Sequence, residues 1–459
     1  MQTTQRLADE KPLKLLIQFS IPAIVGMLVS ALYSVIDRIF IGGAVGSIGI
    51  AGITVAFPIM IIQLAFGLLI GIGGTALVSI RLGERRLEEA LGIVGNSFVL
   101  LIVISLLISI LGLIIRDPML RAFGASEQVL PYARDFVTII LYGSVVMSTS
   151  MGMNNFIRAE GKPQKAMASM LIGTVMNIIL APIFLFVFRW GMKGAAWATV
   201  LAQVVSCAWV LSHFFTRTSV LRICRRNLRL RLSNVKSIMA LGMPPFFLQI
   251  AVCILTIVLN KSMAHYGGDT AVSGMGAVTT IQMLVILPIA GIGMGAQPII
   301  GYNYGAQSYG RVREVLKLAI FAASIIAVVG YLGIQVFSTP LMSVFAKQDH
   351  TFIAFSSRAL RIFSGLMFLA GFQVIGSNYF QAIGKPLASM ILTLSRQVLI
   401  LLPAILLLGY FFQVNGVLWA GPIADACSTT LTGIWLMREL RNLRQQHEDG
   451  KPQGLPQAL

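Results

Sequence analysis

The sequence predicts an all-α membrane protein, with twelve transmembrane helices in two six-helix bundles related by a parallel internal repeat. Three observations carry this reading. Of 459 residues, 56% are hydrophobic and 11% charged, whereas soluble domains carry roughly 25% charged residues. About twelve apolar runs are long enough to cross roughly 30 Å of hydrocarbon. The chain also repeats itself: residues 157–163 read IRAEGKP, and 223 residues later 380–386 read FQAIGKP.

The repeat extends well beyond this heptad. Ser20-Ile21-Pro22 returns as Gly242-Met243-Pro244, Gly71-Ile72-Gly73 as Gly293-Met294-Gly295, and Gly83 as Gly305. Gly194-Ala195-Ala196-Trp197-Ala198 returns as Gly416-Val417-Leu418-Trp419-Ala420. Matches in order at one offset, within a residue, mean an internal duplication, and in a chain this apolar a duplication means a transporter built from two halves.

The apolar runs fall near 15–41, 48–80, 91–115, 132–157, 166–188, 194–216, 237–264, 271–300, 315–338, 353–380, 388–412 and 416–437. Their lengths fit helices, and those above 25 residues require tilt or a kink. Six spans per half is an even number, so both halves enter from the same side and the repeat is parallel. With the N-terminus inside, inner segments hold 24 Lys and Arg and outer segments 8, which sets both termini in the cytoplasm of a multi-pass protein of the cell's inner membrane. The N-terminal stretch MQTTQRLADEKPLK is polar, and the first apolar run is too long for a cleavable signal.

This places an N-terminal lobe at 1–216, a basic cytoplasmic linker at 217–236, a C-terminal lobe at 237–444 and a flexible tail at 445–459. The net charge of +18 is an orientation signal, and no nucleic-acid partner is expected. The linker, RTSVLRICRRNLRLRL from Arg217, is expected to lie on anionic headgroups. Cys207, Cys224, Cys253 and Cys427 form no CxxC, and the four histidines lack metal-ligand spacing. No nucleotide-binding or hydrolase motif is present, so neither an enzyme nor a bound cofactor is expected. A monomer suffices for a cavity between two halves.

The repeated turn has a structural explanation. Gly161 and Gly384 suit the left-handed cap that ends a helix. Pro163 and Pro386 suit the first helical turn, whose donors are orphaned anyway. Lys162 and Lys385 are expected to face cytoplasm and lipid phosphates. The glycine-rich stretches near 67–74 and 291–295 permit close helix approach.

Polar groups at membrane depth carry the functional reading. Of seventeen carboxylates, only Asp37 and Asp425 lie clearly within apolar runs. A charge at mid-bilayer costs about 2.5–3.5 kcal/mol on insertion scales, so each needs a use or a partner. Asp37 follows Pro22 by fifteen residues; a proline kink and a carboxylate on one helix make a plausible switch. The alternatives are an ion pair for Asp37, with Arg38 adjacent, and satisfaction of Asp425 by Ser428 and Thr429. Asn177 and Thr199 are oxygen ligands suited to a hard cation or, equally, helix–helix glue. Lys261 and Arg396 are further charges in or beside apolar runs.

Together these residues resemble the multidrug and toxic compound extrusion (MATE) family, from about Lys14 to Arg438. The resemblance is carried by Pro22 with Asp37, the two GKP turns, Asn177-Ile-Ile-Leu-Ala-Pro182, Gly194-Ala-Ala-Trp-Ala-Thr199, and Arg396 in Leu394-Ser395-Arg396-Gln397. It implies an antiporter that exports drug-like, often cationic compounds in exchange for H+ or Na+, with small molecules and membrane lipid as its partners. It assigns Asp37 to cation coupling, with Asn177 and Thr199 beside it, and these three as the ligands if the ion is Na+. The family's second acid on span five would stand where this chain has Ala181. A lone titrating Asp37 leans the expectation towards H+. The alternative reading is a flippase of lipid-linked precursors, with Lys261 and Arg396 meeting a pyrophosphate.

Overall fold

The computed structural model describes residues 2–216, 219–345 and 349–449. Arg217 and Thr218 of the expected linker and residues 450–459 of the expected tail lie outside them. Among the described residues the chain is helical, without strands. A short α1 (Gln2–Asp9) precedes α2 (Pro12–Val45), α3 (Ser47–Gly83) and α4 (Leu87–Ala122). Next come α5 (Leu130–Tyr142), α6 (Ser144–Ala159), α7 (Pro163–Pro182) with a π-helical end (Ile183–Val187), and α8 (Gly191–Phe215). After the linker follow α9 (Leu232–Gly305), α10 (Tyr309–Ser343), α11 (His350–Phe363), α12 (Ala370–Ala382) and α13 (Pro386–Leu394). A second π-helix (Ser395–Leu401) leads into α14 (Leu402–Asp449).

These elements give the twelve expected spans. The pairs α5–α6 and α11–α12 each form one bent span, with bends of 56° and 43°. Helix α9 has 74 residues, which at 1.5 Å per residue is about 110 Å, several times the hydrocarbon thickness. It must be two spans, and the break is Gly268, at φ 66°. Helix α14 breaks likewise at Gln413, φ 52°, separating the eleventh and twelfth spans. The expected tail begins as helix, since α14 runs to Asp449.

The chain forms two compact units. Unit 1 comprises Met1–Glu10 and Val25–Phe246; unit 2 comprises Lys11–Ile24 and Phe247–Leu459. These borders differ from the lobes 1–216 and 237–444. Two helices change unit partway along, α2 two residues after Pro22 and α9 just after Pro244 and Pro245. Helix α2 stays helical through Pro22.

Unit 1 has an apolar core around Ile41, Ala56, Phe136, Ile140, Ala181 and Ala195. Its closest crossing lies between α3 and the start of α9. A Cβ on Gly242 would stand 1.7 Å from Leu69 O, and one on Gly73 2.2 Å from Ile238 O. Unit 2 has its own core around Met263, Val278, Leu360, Val417 and Ala424. There a Cβ on Gly291 would meet the Ile24 backbone at 2.9 Å, and one on Gly295 the Ser20 nitrogen at 2.8 Å. The glycine-rich stretches thus serve packing, at backbone-to-backbone contacts that a side chain would block. Large apolar side chains such as Leu107, Ile114, Val187, Val336, Leu407 and Phe411 are exposed, as befits surfaces meant for lipid.

Candidate functional site

Asp37 lies in unit 1 on α2, one helical turn beyond Tyr33. Its Oδ1 is buried and has no hydrogen-bond partner. Among the described residues it makes no ion pair, and Arg38 is exposed. The simple ion-pair explanation therefore does not hold. An unsatisfied buried carboxylate oxygen costs about 1–3 kcal/mol or more, and such atoms need an explanation.

Asn177 and Thr199 do meet. Asn177 Nδ2 donates to Thr199 Oγ1 at 3.2 Å and to Tyr33 Oη at 3.3 Å. Tyr33 Oη and Thr199 Oγ1 are 3.3 Å apart, and Thr199 Oγ1 also donates to Ala195 O. The three polar groups are thus linked across α2, α7 and α8, and no hydrogen bond joins Asp37 to them. Sequence reasoning missed Tyr33; the available signal was a phenol one turn before the acid. This donor set suits a Na+ cage poorly. The Asn177–Thr199 bond uses the amide nitrogen Nδ2 and leaves Oδ1 out of it, but Ala181 supplies no second carboxylate beside Asp37. What remains is a solitary carboxylate beside a linked polar triad.

In unit 2, Asp425 is held by Arg396 rather than by Ser428 or Thr429: Arg396 Nε donates to Asp425 Oδ1 at 2.6 Å. Ser428 Oγ instead donates to the Asp425 backbone carbonyl. Lys261 is exposed, and the charge of Arg396 is balanced by Asp425. An Arg396 already paired with a carboxylate does not favour the pyrophosphate-flippase reading.

The cytoplasmic turns have the expected backbone. Gly161 and Gly384 adopt φ of 93° and 80°, and Pro163 and Pro386 open α7 and α13. Their lysines are each held by a glutamate. Lys162 pairs with Glu160 at 2.9 Å, and Lys385 with Glu439 at 2.6 Å. Glu160 is fully buried. Its Oε2 lies 2.8 Å from His213 Nε2 and accepts from Ser219 Oγ, while Oε1 accepts from the Val220 N–H. Asn96 grips the linker farther along, donating to the Asn227 and Arg229 carbonyls and accepting from the Arg231 N–H. The linker is therefore clamped to unit 1 by buried polar groups, while Arg225, Arg226, Arg229 and Arg231 stay exposed. Glu160 and His213 were not anticipated. In the second copy of the motif the glutamate's place is taken by Ile383, and that difference was the only sequence signal.

The MatE family model matches residues 22–183 and again 244–406, one match in each half of the internal repeat. The chain belongs to the MATE family. It is 25% identical over 431 residues to the multidrug export protein MepA of Staphylococcus aureus strain N315, covering 93% of this chain and 94% of that protein. Its fold matches the MATE multidrug transporter DinF-BH, solved in complex with R6G, at TM-score 0.87 and 39% identity, over 94% of this chain and 96% of that one. An outward-facing multidrug resistance MATE transporter of the MOP superfamily matches at TM-score 0.90 and 25% identity, over 96% and 98%.

In this MATE transporter the Glu160 clamp makes a pH prediction. Burial pushes a carboxyl's pKa up, but the hydrogen bonds from His213, Val220 and Lys162 outweigh it and hold Glu160 down at about 2, against an ordinary 4.5. The folded state then binds fewer protons than the unfolded chain. The stability from Glu160 is complete above pH 4.5 and is lost as pH falls towards about 2, amounting to about 3 kcal/mol. Glu160→Ala should remove that component. Thermal unfolding of the purified protein measured from pH 6 down to pH 2 checks it: the variant's curve should be lower at pH 6 and converge on the parent's at the acid end.

Proposed function

We propose that this transporter exports drug-like, often cationic amphipathic compounds from the cytoplasm by alternating access, in exchange for protons entering through Asp37. It works as a monomer in the inner membrane with both termini cytoplasmic, moving small molecules without covalent chemistry or a bound cofactor. The observation that carries this reading is the buried, unpartnered Asp37 oxygen in the first span. An intramembrane acid without an ion partner is a functional site by default. The names of its relatives, a multidrug export protein and a MATE transporter binding R6G, point the same way.

In this scheme ionised Asp37 attracts a cationic substrate, and protonation from outside removes the charge and lowers substrate affinity. The shift between states is limited to that difference in affinity. H+ is favoured over Na+ because Ala181 supplies no second carboxylate, and a single acid, Asp37, has to do the coupling. Purified protein in liposomes, with pH and Na+ gradients imposed separately, tests this. A pH gradient alone should drive uphill dye export; uphill export driven only by Na+ would overturn the choice of ion.

A further inference from the structure

The export scheme leaves the Arg396–Asp425 pair of unit 2 without a task. The Asp425 side chain is 4% exposed and that of Arg396 23%. The bond uses the inner guanidinium nitrogen, Nε. No described residue takes the two terminal nitrogens, so the planar fork of the guanidinium is unspent. Two more polar atoms close by in the same helices are buried without partners, Gln397 Oε1 next to Arg396 and Thr429 Oγ1 one turn beyond Asp425. Arg396 itself stands in the π-helical segment Ser395–Leu401, a wide-turn geometry that appears frequently at functional sites.

The fold does not require charge at this place. The internal repeat puts Gly173 opposite Arg396, at the offset of 223 set by the GKP turns, and Gln203 opposite Asp425, at the offset of 222 set by Gly194 and Gly416, so neither charge has a charged counterpart in unit 1. There a Cβ on Gly173 would lie 3.4 Å from Ser206 Cβ and 4.0 Å from Ala202 O, so α7 and α8 close on each other with small residues. The same scaffold has thus been built once without ions and once with them. A buried ion pair is a poor source of stability, since apolar replacements are often neutral or better. The pair calls for another reason to exist.

Resting on the efflux reading, we propose that Arg396, steadied by Asp425, is a binding site for the carboxylate of a transported amphiphile. A guanidinium fork is the side chain best matched to a carboxylate, through two parallel hydrogen bonds. Asp425 fixes the fork by its inner edge and leaves the outer edge for the ligand. It also sets the ligand's charge. The pair is neutral as it stands, so a bare anion would leave one negative charge uncompensated in a low-dielectric site. A zwitterion brings its own cation. The class favoured is therefore a carboxylate-bearing zwitterionic amphiphile.

The test is direct binding to the purified full-length protein in a nonionic detergent, read by fluorescence anisotropy. The probes are a rhodamine ethyl ester, which is a cation, and its zwitterionic free acid. The parent should bind both. The double variant Arg396→Gln/Asp425→Asn, which leaves no orphaned charge, should bind the free acid about tenfold more weakly, the loss expected for a charge-assisted hydrogen bond. Its affinity for the ester should be unchanged. Arg396→Lys keeps the charge but not the fork, and should fall between the two; it gives the same reading if the double variant does not fold. Equal losses for both dyes, or none for the acid, would overturn the proposal. So would variants that keep the acid but lose binding of added phosphatidylglycerol, which would make the ligand a lipid headgroup. Binding needs no gradient, so a protein that passes this test and still fails to pump refutes only the antiport scheme.

Discussion

Asp37→Asn should abolish uphill efflux while leaving the protein folded in the membrane. The substitution is nearly isosteric and removes only the ability to carry charge. In most buried sites such a change breaks hydrogen bonds, but Asp37 Oδ1 has no partner to lose, and the described residues include no ion pair to Asp37. Stability should therefore change by no more than about 1 kcal/mol. Transport against a gradient should collapse because no neighbour replaces the acid: Ala181 is apolar, and the linked Tyr33, Asn177 and Thr199 are neutral. The measurement is dye accumulation in liposomes with an imposed pH gradient, beside a thermal unfolding curve for each protein. Uphill export that persists in a well-folded Asp37→Asn variant removes this residue from the mechanism.

Gly242→Val should be the most damaging single change outside the site. An atom 1.7 Å from Leu69 O, 2.5 Å from Leu69 C and 2.8 Å from its Cα has no room to settle by a rotamer change, because all three neighbours are backbone. The start of α9 and the middle of α3 must part by more than about 1 Å, giving up their contact along the crossing. Overpacking of side chains alone costs about 1–3 kcal/mol; a backbone clash should lie at or beyond the upper end, and transport should fail. Gly276→Ala on the same helix is the control, since its Cβ would meet nothing within 4 Å. There the helix gains from losing a glycine, by up to about 1 kcal/mol. Unfolding temperature and dye export should separate the two variants sharply. If Gly242→Val is as benign as Gly276→Ala, the close crossing does not exist as described.

Much of this molecule could be read from local pattern. The twelve spans follow from apolar run length, because hydrocarbon leaves the backbone only its own carbonyls to bond with. The bends at α5–α6 and α11–α12 and the breaks at Gly268 and Gln413 fall within or between the expected runs. The turns at Gly161 and Gly384 have the positive φ that a glycine followed two residues later by proline suggests. Asp37, Asn177 and Thr199 could be picked out because a polar group in an apolar run is visible without knowing what surrounds it.

The sequence by itself thus determined where the chain crosses the membrane, that it does so in two related halves, and which polar groups go in with it. Only the tertiary structure decided what those groups touch. It placed Tyr33 between Asn177 and Thr199, left Asp37 alone, spent Lys162 and Lys385 on buried glutamates, and joined Arg396 to Asp425. It also passed the first part of α2 to unit 2 and the first part of α9 to unit 1. Helix formation in lipid is dictated residue by residue, since every amide must bond within its own segment. The choice of neighbour is made by packing and hydrogen bonds between side chains up to 166 positions apart, and no local periodicity encodes that distance.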